Sequence, residues 1–235
     1  MTGLLSALQG DPWAALRLVL GDPLHPGGYE ATAALLDRAG VGEGTRVLDV
    51  GCGAGGALEL ARGRGADAAG LDREPSADGR ALRGDLSPLP GRSGAVDAVP
   101  GACVLCLAPD LGAALAETRR AVGAGGRLAF SDVTVSGEIP DLPPFLAQAL
   151  CLTDRRDRAG LVTAVEDAGY EVRDVRSHRE DLLAMREDAA GALDVDALLA
   201  ALGDRGDRLR EGVTDLDRAV DRGDIGYVSL VGEAV

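Results

Sequence analysis

The sequence predicts an α/β protein whose mostly parallel, doubly wound sheet carries helices on both faces. Short apolar strands alternate with helical stretches, and glycines cluster where the strands end. The 235 residues are 46% hydrophobic and 26% charged, which is the balance of a globular protein. Because no shift in composition divides the chain, we expect a single domain over residues 1–235.

The first half of the chain supplies most of the predicted sheet. Residues 45–50 (TRVLDV) form a short buried strand that runs directly into glycines. Residues 111–122 have apolar side chains at helical spacing and stop at Gly123, a usual helix-ending residue. The other elements predicted here are helices over residues 4–20, 30–39 and 57–64, and strands over residues 66–71, 80–84, 95–107 and 127–135. Pro100 leaves the end of strand 95–107 open, because proline weakens a central strand.

The pattern changes after residue 135, where a proline-punctuated loop (SGEIPDLPP) follows the strand. The remaining predicted elements are helices over residues 145–152 and 155–168, a strand over 170–175, an acidic helical stretch over 180–222 and a last strand over 225–232. His178 lies in a charged run, so we expect it to face solvent.

The charge of the chain excludes two classes of partner. All 24 basic residues are arginine, the acidic residues number 38, and the formal charge is −14. Proteins that bind nucleic acid neutralise phosphates with Lys and Arg, and anionic membranes attract basic segments. We therefore predict no nucleic-acid partner and no membrane partner.

The N-terminus and the cysteines indicate a cytoplasmic protein. Residues 1–20 lack a basic leading region and have their apolar run broken by Asp11, Pro12 and Arg17, so they do not resemble a secretory signal. No run approaches the roughly 20 apolar residues that span a bilayer. Four cysteines in a chain of this length suggest reduced thiols rather than a disulfide framework.

A glycine loop follows the first predicted strand. In VLDVGCGAGG, Gly51, Gly53 and Gly56 stand in a G-x-G-x-x-G register at a strand-to-helix turn. Asp72 ends the next strand, where a carboxylate can accept hydrogen bonds from ribose hydroxyls. The loop and the acid together indicate a nucleoside-binding site.

Two further acids distinguish the candidate ligands. Asp49 precedes the loop, where a carboxylate would repel a pyrophosphate but would suit a cationic group. Asp85, after the third strand, could accept a hydrogen bond from an adenine amine. Taken singly, Asp49 could instead be a buried acid satisfied by loop amides and Asp85 an ordinary turn residue.

These motifs resemble the class I S-adenosylmethionine-dependent methyltransferases. The resemblance is carried by VLDVGCGAGG, GLDRE, RGDLSPLP and ETRRAVGAGGRLAFSDV, and it covers residues 28–135 well. It implies a Rossmann-like, seven-stranded sheet with an antiparallel last strand and S-adenosylmethionine as cofactor. It also implies the cofactor-binding residues, which are Asp49, Gly51 and Gly53 for the methionine portion, Asp72 for the ribose, and Asp85 with Leu86 for the adenine. Cys52 in the same loop is expected to join them. The chain departs from the family in leaving hardly any room for the usual helix between Asp72 and Asp85, so we expect a more open adenine side that Arg73 could cover.

The resemblance also divides the domain by role. Residues 1–40 would form an N-terminal helical lid, residues 41–135 the cofactor-binding core, and residues 136–235 the acceptor-side helices and last two strands. The acceptor, a small molecule, should sit over the carboxyl ends of the strands.

Five side chains are candidates for acceptor chemistry. His25 could act as a base, although a histidine beside Pro and Gly is also a common structural loop residue. Asp132 ends its strand and could orient the acceptor or simply form a turn. Cys103 and Cys106 flank the expected site, and Cys151 lies on a later helix. A single C-x-x-C pair does not favour a zinc site, so no metal is predicted.

The cysteine region is similar to that of arsenite methyltransferases. The similarity covers CVLCLAPDLGAALAETRRAVGAGGRLAFSDV and ALCLTDRRDRAGL, with Cys151 at a position like one of that family's arsenic-binding cysteines. The cysteine expected soon after the glycine loop is absent, so Cys103 and Cys106 would have to substitute. Trivalent arsenic, a soft centre that suits thiols, is thus one candidate acceptor beside an unspecified small molecule.

Two alternatives use the same glycine loop. A nicotinamide-dependent oxidoreductase would bind NAD(P) there, and a regulatory module would bind a nucleoside without catalysis. A direct comparison of methyl-donor and dinucleotide binding separates the first alternative, and a closed acceptor pocket would favour the second.

Overall fold

Seven strands form one sheet in the computed structural model, which describes residues 13, 16–17, 21–75, 81–192 and 204–235. The strands are β1 (Arg46–Val50), β2 (Asp67–Asp72), β3 (Ala81–Arg83), β4 (Val96–Ala102), β5 (Val122–Val135), β6 (Tyr170–Ser177) and β7 (Ile225–Ala234). Their order across the sheet is β3-β2-β1-β4-β5-β7-β6. β7 pairs antiparallel with both β5 and β6, whereas the pairs among β1 to β5 are parallel. The predicted Rossmann-like fold class is confirmed.

The helices among the described residues connect the strands in the predicted alternation. They are α1 (Gly28–Arg38), α2 (Gly56–Gly63), α3 (Leu111–Ala121), α4 (Pro144–Ala149), α5 (Arg158–Asp167), α6 (Arg179–Ala192) and α7 (Asp204–Arg222). Asp110 caps α3 by accepting a 2.9 Å hydrogen bond from the amide of Ala113. Asp157 caps α5 in the same way through Gly160, at 2.7 Å. Each cap satisfies a backbone donor that the first helical turn leaves unpaired.

The core lies on both faces of the sheet. One face packs Phe130 of β5 and Val99 of β4 against Leu115 of α3, all at most 2% exposed. The other face packs Val47 of β1 against helices α1 and α2, through Leu36 and Leu58. Burial on both sides explains the nearly continuous apolar runs of the central strands.

Several element boundaries differ from those predicted. Strand β4 ends at Ala102, and a turn of 3-10 helix, Leu105–Leu107, replaces the end of the predicted strand 95–107. Pro100 still lies within β4, opposite Ala129 of β5, while the pairing of β4 with β1 is at Ala98 opposite Val47. The acidic stretch predicted as helical over 180–222 contains α6 and α7, with residues 193–203 outside the described part of the chain.

The predicted helix over residues 4–20 lies almost wholly outside the described residues, which include only Trp13, Leu16 and Arg17 of it. Within the ranges that the structure describes, no helix combines the length and the apolar character needed to cross a membrane.

His178 is not solvent-facing, contrary to the prediction. Its side chain is 17% exposed; its Nδ1 lies 2.9 Å from an Asp181 carboxylate oxygen and its Nε2 2.7 Å from the hydroxyl oxygen of Ser229. Arg38 of α1 also donates to Ser229 and forms an ion pair with Asp174. This polar network connects α1 and α6 to strands β6 and β7. It explains why the His178 ring is mostly covered although its neighbours in the sequence are charged.

We expect Leu115→Ala to lower the free energy of unfolding by about 2–5 kcal/mol, because it leaves a cavity in a fully buried position. Urea unfolding at equilibrium measures the change. Leu82→Ala is the matched control, since Leu82 is 51% exposed and should change stability by no more than about 0.5 kcal/mol. Equal losses in the two variants would contradict this account of the core.

Candidate active site

The glycine loop is held at the carboxyl ends of β1 and β2 by backbone hydrogen bonds. The amides of Gly51 and Cys52 both donate to the carbonyl of Leu71, at 2.7 and 3.2 Å. Gly51 has φ +71°, and a Cβ there would lie 2.9 Å from Cγ2 of Val104. A side chain at position 51 would therefore be strained and would collide, so the loop depends on glycine here.

Asp72 fixes the loop from the neighbouring strand. Its Oδ2 accepts a 2.9 Å hydrogen bond from the amide of Gly53, and its Oδ1 accepts a 2.8 Å bond from the amide of Glu74. Each oxygen of an ionised carboxylate has two lone pairs, so both retain capacity for one more donor. The carboxylate is thereby oriented at the end of β2 with accepting capacity left for a ligand.

Asp49 is the most perturbed acid of the site. It is 4% exposed, and its Oδ2 is buried with no hydrogen-bond partner among the described residues. Burial, and secondarily the charge of Asp72, raise the pKa of Asp49 to about 8. The interpretation of Asp49 as an acid satisfied by loop amides does not account for this unpaired oxygen.

Cys52 lies between the two glycines beside Asp49. Its Sγ packs over Gly70 of β2, where a Cβ would lie 2.6 Å from it. Burial raises the pKa of the Cys52 thiol to about 12, so it is protonated at neutral pH. Its contribution is packing under the loop rather than ionisation.

Asp85 lies at the other end of the site and forms an ion pair with Arg73. Arg73 Nε is 3.0 Å from Oδ2 of Asp85, and the amide of Leu86 donates to Oδ1 at 2.7 Å. The Asp85 pKa is lowered, because the hydrogen bonds from Leu86 and Arg73 outweigh its desolvation, the largest single contribution. Residues 76–80, which lie between Asp72 and Asp85 in the sequence, are outside the described residues.

One cavity of about 460 Å³ joins these residues. Every predicted cofactor-binding residue lines it: Asp49, Gly51, Cys52, Gly53, Asp72, Arg73, Asp85 and Leu86. The cavity continues past the glycine loop to Pro100, Cys103, Leu107 and Gln148. The part beside the glycine loop and the adjoining part past it thus share one space, which does not fit a module with a closed acceptor pocket.

Of the predicted catalytic residues, Cys103 and His25 line this cavity. Cys103 follows β4 with φ +52°, an uncommon conformation for a residue other than glycine. Its Sγ lies 3.8 Å from the Tyr227 hydroxyl, which donates to Ser131 Oγ at 2.8 Å. Burial raises the pKa of the Cys103 thiol, so it is protonated at neutral pH.

The other two acceptor-side cysteines are joined to each other. Cys106 and Cys151 form a disulfide, with Cα atoms 5.4 Å apart across 45 residues of sequence. The expectation of reduced thiols was therefore wrong for this pair, while Cys52 and Cys103 are free. The disulfide links the turn after β4 to the end of α4. Cys106 also lines a second cavity of about 330 Å³, which shares Leu107 and Gln148 with the first.

Asp132 does not line the large cavity. It is 2% exposed, and its two oxygens accept hydrogen bonds from the amides of Cys106 and Val133, both at 2.9 Å. Burial raises the Asp132 pKa to about 6, against these hydrogen bonds. Oxygen of Asp132 and sulfurs of Cys103 and Cys151 nevertheless lie within 4.8 Å of one another. Asp132 holds the turn that carries Cys106.

His25 lies at the cavity wall below α1. Its Nε2 is 3.0 Å from Oγ1 of Thr32, and its Nδ1 is 3.2 Å from the carbonyl oxygen of Pro26. Burial lowers the His25 pKa, so the ring is neutral at pH 7. Both ring nitrogens therefore have protein partners.

Sequence reasoning missed Tyr227, Ser131 and Arg17 as site residues. Tyr227 on β7 donates to Ser131 on the neighbouring strand β5, and only the register of these strands brings Tyr227 to Cys103. One feature of the sequence could have suggested Arg17, because it is a basic residue upstream of the glycine loop. Nothing in the sequence places it beside Gly53, however.

Comparisons with known proteins agree with this architecture. Residues 48–130 match the family described as a methyltransferase domain. Over 205 residues the chain is 29% identical to methyltransferase GfsG of Streptomyces halstedii, a match that covers 79% of this chain and 73% of that protein.

Two solved structures share the fold over nearly the whole chain. A candidate sarcosine dimethylglycine methyltransferase from Galdieria sulphuraria has a TM-score of 0.77 at 15% identity, covering 97% of this chain and 98% of that one. A geranyl diphosphate C-methyltransferase from Streptomyces coelicolor A3(2), in complex with Mg²⁺, geranyl diphosphate and S-adenosyl-L-homocysteine, has a TM-score of 0.68 at 18% identity, covering 93% of this chain and 88% of that one.

The family match, the curated relative and the sheet order together support a class I S-adenosylmethionine-dependent methyltransferase. S-adenosylmethionine is the methyl donor that these findings support. The nicotinamide alternative loses its basis, because the glycine loop falls within the residues that match the methyltransferase domain.

The raised pKa of Asp49 predicts a pH-dependent cost to folding. Between about pH 4 and pH 8 the unfolded chain ionises this carboxyl while the ligand-free native state keeps it protonated, so stability falls as pH rises. We expect the advantage of Asp49→Asn over the wild type in free energy of unfolding to grow between pH 5 and pH 8, by up to about 1.4 kcal/mol per pH unit. Urea unfolding at the two pH values measures the difference, with the exposed Glu43→Gln as control. A gain that does not change with pH would contradict the assignment.

Proposed function

We propose that this enzyme transfers the methyl group to a small, uncharged acceptor held at the Cys103 end of the cavity. The observation that carries the proposal is the continuity of the cavity from Asp49 and Asp72 to Cys103, Leu107 and Gln148. When bound, S-adenosylmethionine supplies a methyl group on a positively charged sulfur. The residues of this chain have to hold the acceptor in line with that carbon and exclude water.

The residues at the glycine loop fit the donor. The unpaired Oδ2 of Asp49 suits the ammonium of the methionine portion, and this contact would favour the ionised carboxylate. The remaining lone pairs of Asp72 suit two ribose hydroxyls. Gly51 and Gly53 leave room for the ligand to approach the backbone, and Leu86 with Asp85 borders the adenine end.

The lining of the acceptor end supports an uncharged molecule. Its side chains are mainly apolar, including Leu24, Val104, Leu107 and Ala149. The basic side chains that line the cavity, among the described residues, are Arg17, Arg73 and His25. Both arginines already form ion pairs with aspartates. A diphosphate acceptor would need several unpaired cations, and the described lining does not offer them.

His25 is the candidate base for an acceptor that must lose a proton. Its lowered pKa keeps the ring neutral, and Thr32 and Pro26 hold its orientation. With Nδ1 donating to Pro26, Nε2 is the nitrogen with an accepting lone pair, which Thr32 now occupies. The hydroxyl of Thr32 can turn to the Gly28 carbonyl, 3.3 Å away, and release that nitrogen.

Donor binding tests the cofactor part of the proposal. Calorimetric titration with S-adenosylhomocysteine should show affinity rising up to tenfold per pH unit below about pH 8, because binding requires ionised Asp49. Asp49→Asn should bind at least about tenfold more weakly, with no such slope. Glu43→Gln, far from the cavity lining, should behave as wild type. Tight binding of NADH without binding of adenosylhomocysteine would overturn the proposal.

Trivalent arsenic is a second candidate acceptor, because one cluster gathers the thiols. Sulfurs of Cys103 and Cys151 lie within 4.8 Å of each other, and Cys106 is bonded to Cys151. Reduction of that disulfide by a thiol reductant would provide three thiols. Each could form one arsenic–sulfur bond as an arsenic hydroxide leaves with the thiol proton as water. Arsenic bound in this way keeps the lone pair that a methyl acceptor must offer.

Arsenite binding to the reduced protein, measured by equilibrium dialysis, tests this candidate. We expect Cys151→Ser to lower arsenite affinity at least about tenfold while leaving adenosylhomocysteine affinity unchanged. Cys52→Ser is the matched control, because Cys52 lies under the glycine loop outside the cluster. Equal arsenite binding by the wild type and Cys151→Ser would rule out the thiol cluster, and the unspecified acceptor would remain.

A further inference from the structure

Three cysteines and one aspartate meet beside the Cys103 end of the large cavity. The sulfurs of Cys103 and Cys151 and an oxygen of Asp132 lie within 4.8 Å of one another. Cys106 adjoins this group, because its sulfur is bonded to that of Cys151. We call these four side chains the thiol–carboxylate cluster. They come from the turn after β4, from β5 and from the segment after α4, so only the fold brings them together.

The backbone at two of these cysteines has an uncommon conformation. Cys103 has φ +52° and Cys151 has φ +59°, and no other residue except glycine has a positive φ in the described part of the chain. A positive φ is unfavourable for a residue with a side chain, and residues held in such conformations concentrate at functional sites. The disulfide does not account for Cys103, which is a free thiol. The cluster therefore has the backbone signature of a site rather than of ordinary packing.

The side chains of the cluster are ligands that zinc binds. Structural zinc sites have four ligands in a tetrahedron, and C-x-x-C is a common spacing for two of them. Cys103 and Cys106 have this spacing, and the fold adds Cys151 and Asp132, which the sequence pattern lacked. A zinc–sulfur bond of about 2.3 Å places tetrahedral ligand atoms about 3.8 Å apart. Separations up to 4.8 Å can therefore be closed by rotation of the side chains.

The surroundings of the cluster suit a bound cation. The amides of Cys106 and Val133 each donate to one oxygen of Asp132, which orients the carboxylate and leaves each oxygen a further lone pair. The positive charge of Arg156 acts on Asp132 and would offset the excess of anionic ligands over one divalent ion. Cys103 lines the large cavity and Cys106 the second one, so an ion can enter from two sides.

We propose that the reduced protein binds a soft divalent cation of the zinc type through Cys103, Cys106, Cys151 and Asp132. A dithiol reductant gives its two hydrogens to the sulfurs of Cys106 and Cys151 and becomes a disulfide itself. Zn²⁺ then replaces the protons of the three thiols, which pass to solvent, and binds an oxygen of the ionised Asp132 carboxylate. The ion connects the turn after β4 to β5 and to the segment after α4. This site is additional to methyl transfer and does not depend on which acceptor the enzyme takes.

Cobalt(II) spectroscopy and zinc affinity test the site on the full chain. The reductant is a phosphine, which takes oxygen from water while the two sulfurs take the hydrogens. Thiolate-to-cobalt charge-transfer absorption grows with the number of bound thiolates, so the wild type should show the band of three and Cys103→Ser or Cys151→Ser that of two. Competition with a chromophoric chelator should show one zinc per chain, bound at least about tenfold more weakly by either variant. Cys52→Ser is the matched control, because its thiol lies outside the cluster, and it should bind zinc as the wild type does.

Asp132→Asn separates zinc from arsenic at the same thiols. Zinc needs a fourth ligand, so this variant should bind zinc at least about tenfold more weakly. Arsenite held by three sulfurs should change in affinity by less than about twofold. Unchanged zinc affinity, or an equal loss of zinc and arsenite affinity, would show that Asp132 is not a ligand and would overturn the four-ligand site.

The remaining outcomes keep the zinc site separate from the proposed function. If the reduced wild type shows no charge-transfer band, or if Cys103→Ser and Cys151→Ser keep the band of three thiolates, the zinc site is wrong. Adenosylhomocysteine affinity should be unchanged in Cys151→Ser and Asp132→Asn, which shows that both variants are folded. A reduced wild type that binds zinc but no adenosylhomocysteine would support the zinc site and contradict the proposed donor site alone.

Discussion

The burial of the Asp49 carboxyl is the constraint on which the proposed donor site depends. A carboxylate without partners inside a protein is costly, and the native chain responds by raising its pKa to about 8. The acid can stay there because its surroundings are fixed independently of it. The loop beside it is tied to the Leu71 carbonyl by two amides and to Asp72 by a third. A cationic ligand then meets the Asp49 carboxyl group, which folding has already removed from water.

The sequence was sufficient to bring together the residues of the proposed donor half, because that half is built locally. Parallel strands bring their carboxyl ends to one edge, so Asp49 on β1 and Asp72 on β2 meet once the strands are recognised. Gly51 could also be recognised from the sequence, because it stands in the G-x-G-x-x-G register. Its positive φ and its contact with Val104 explain why no other residue fits there. The antiparallel β7 came from the family resemblance, because no local pattern gives the direction of a strand.

The acceptor half was predicted only in part, at Cys103 and His25, because the rest depends on contacts between distant segments. Cys106 and Cys151 are 45 residues apart, and the fold of α4 over the turn after β4 decides that they meet. Tyr227 reaches Cys103 only through the register of β7 on β5. The exposure of His178 was predicted wrongly for the same reason. Its charged neighbours in the sequence give no sign of Ser229 on β7, whose hydroxyl contacts the imidazole ring. The composition of a segment does not determine its burial, because burial depends on the distant segments that pack against it.

The acid surplus of the cavity also bears on how the catalytic cycle turns over. S-adenosylmethionine has a sulfonium, an ammonium and a carboxylate, so its net charge is one unit more positive than that of adenosylhomocysteine. Even with Asp49 protonated, four other lining acids face two arginines and a neutral histidine among the described residues, so the cavity favours the more positive ligand. Methyl transfer removes the sulfonium charge and with it part of this attraction. The electrostatics that draw the donor in therefore also help the spent donor to leave.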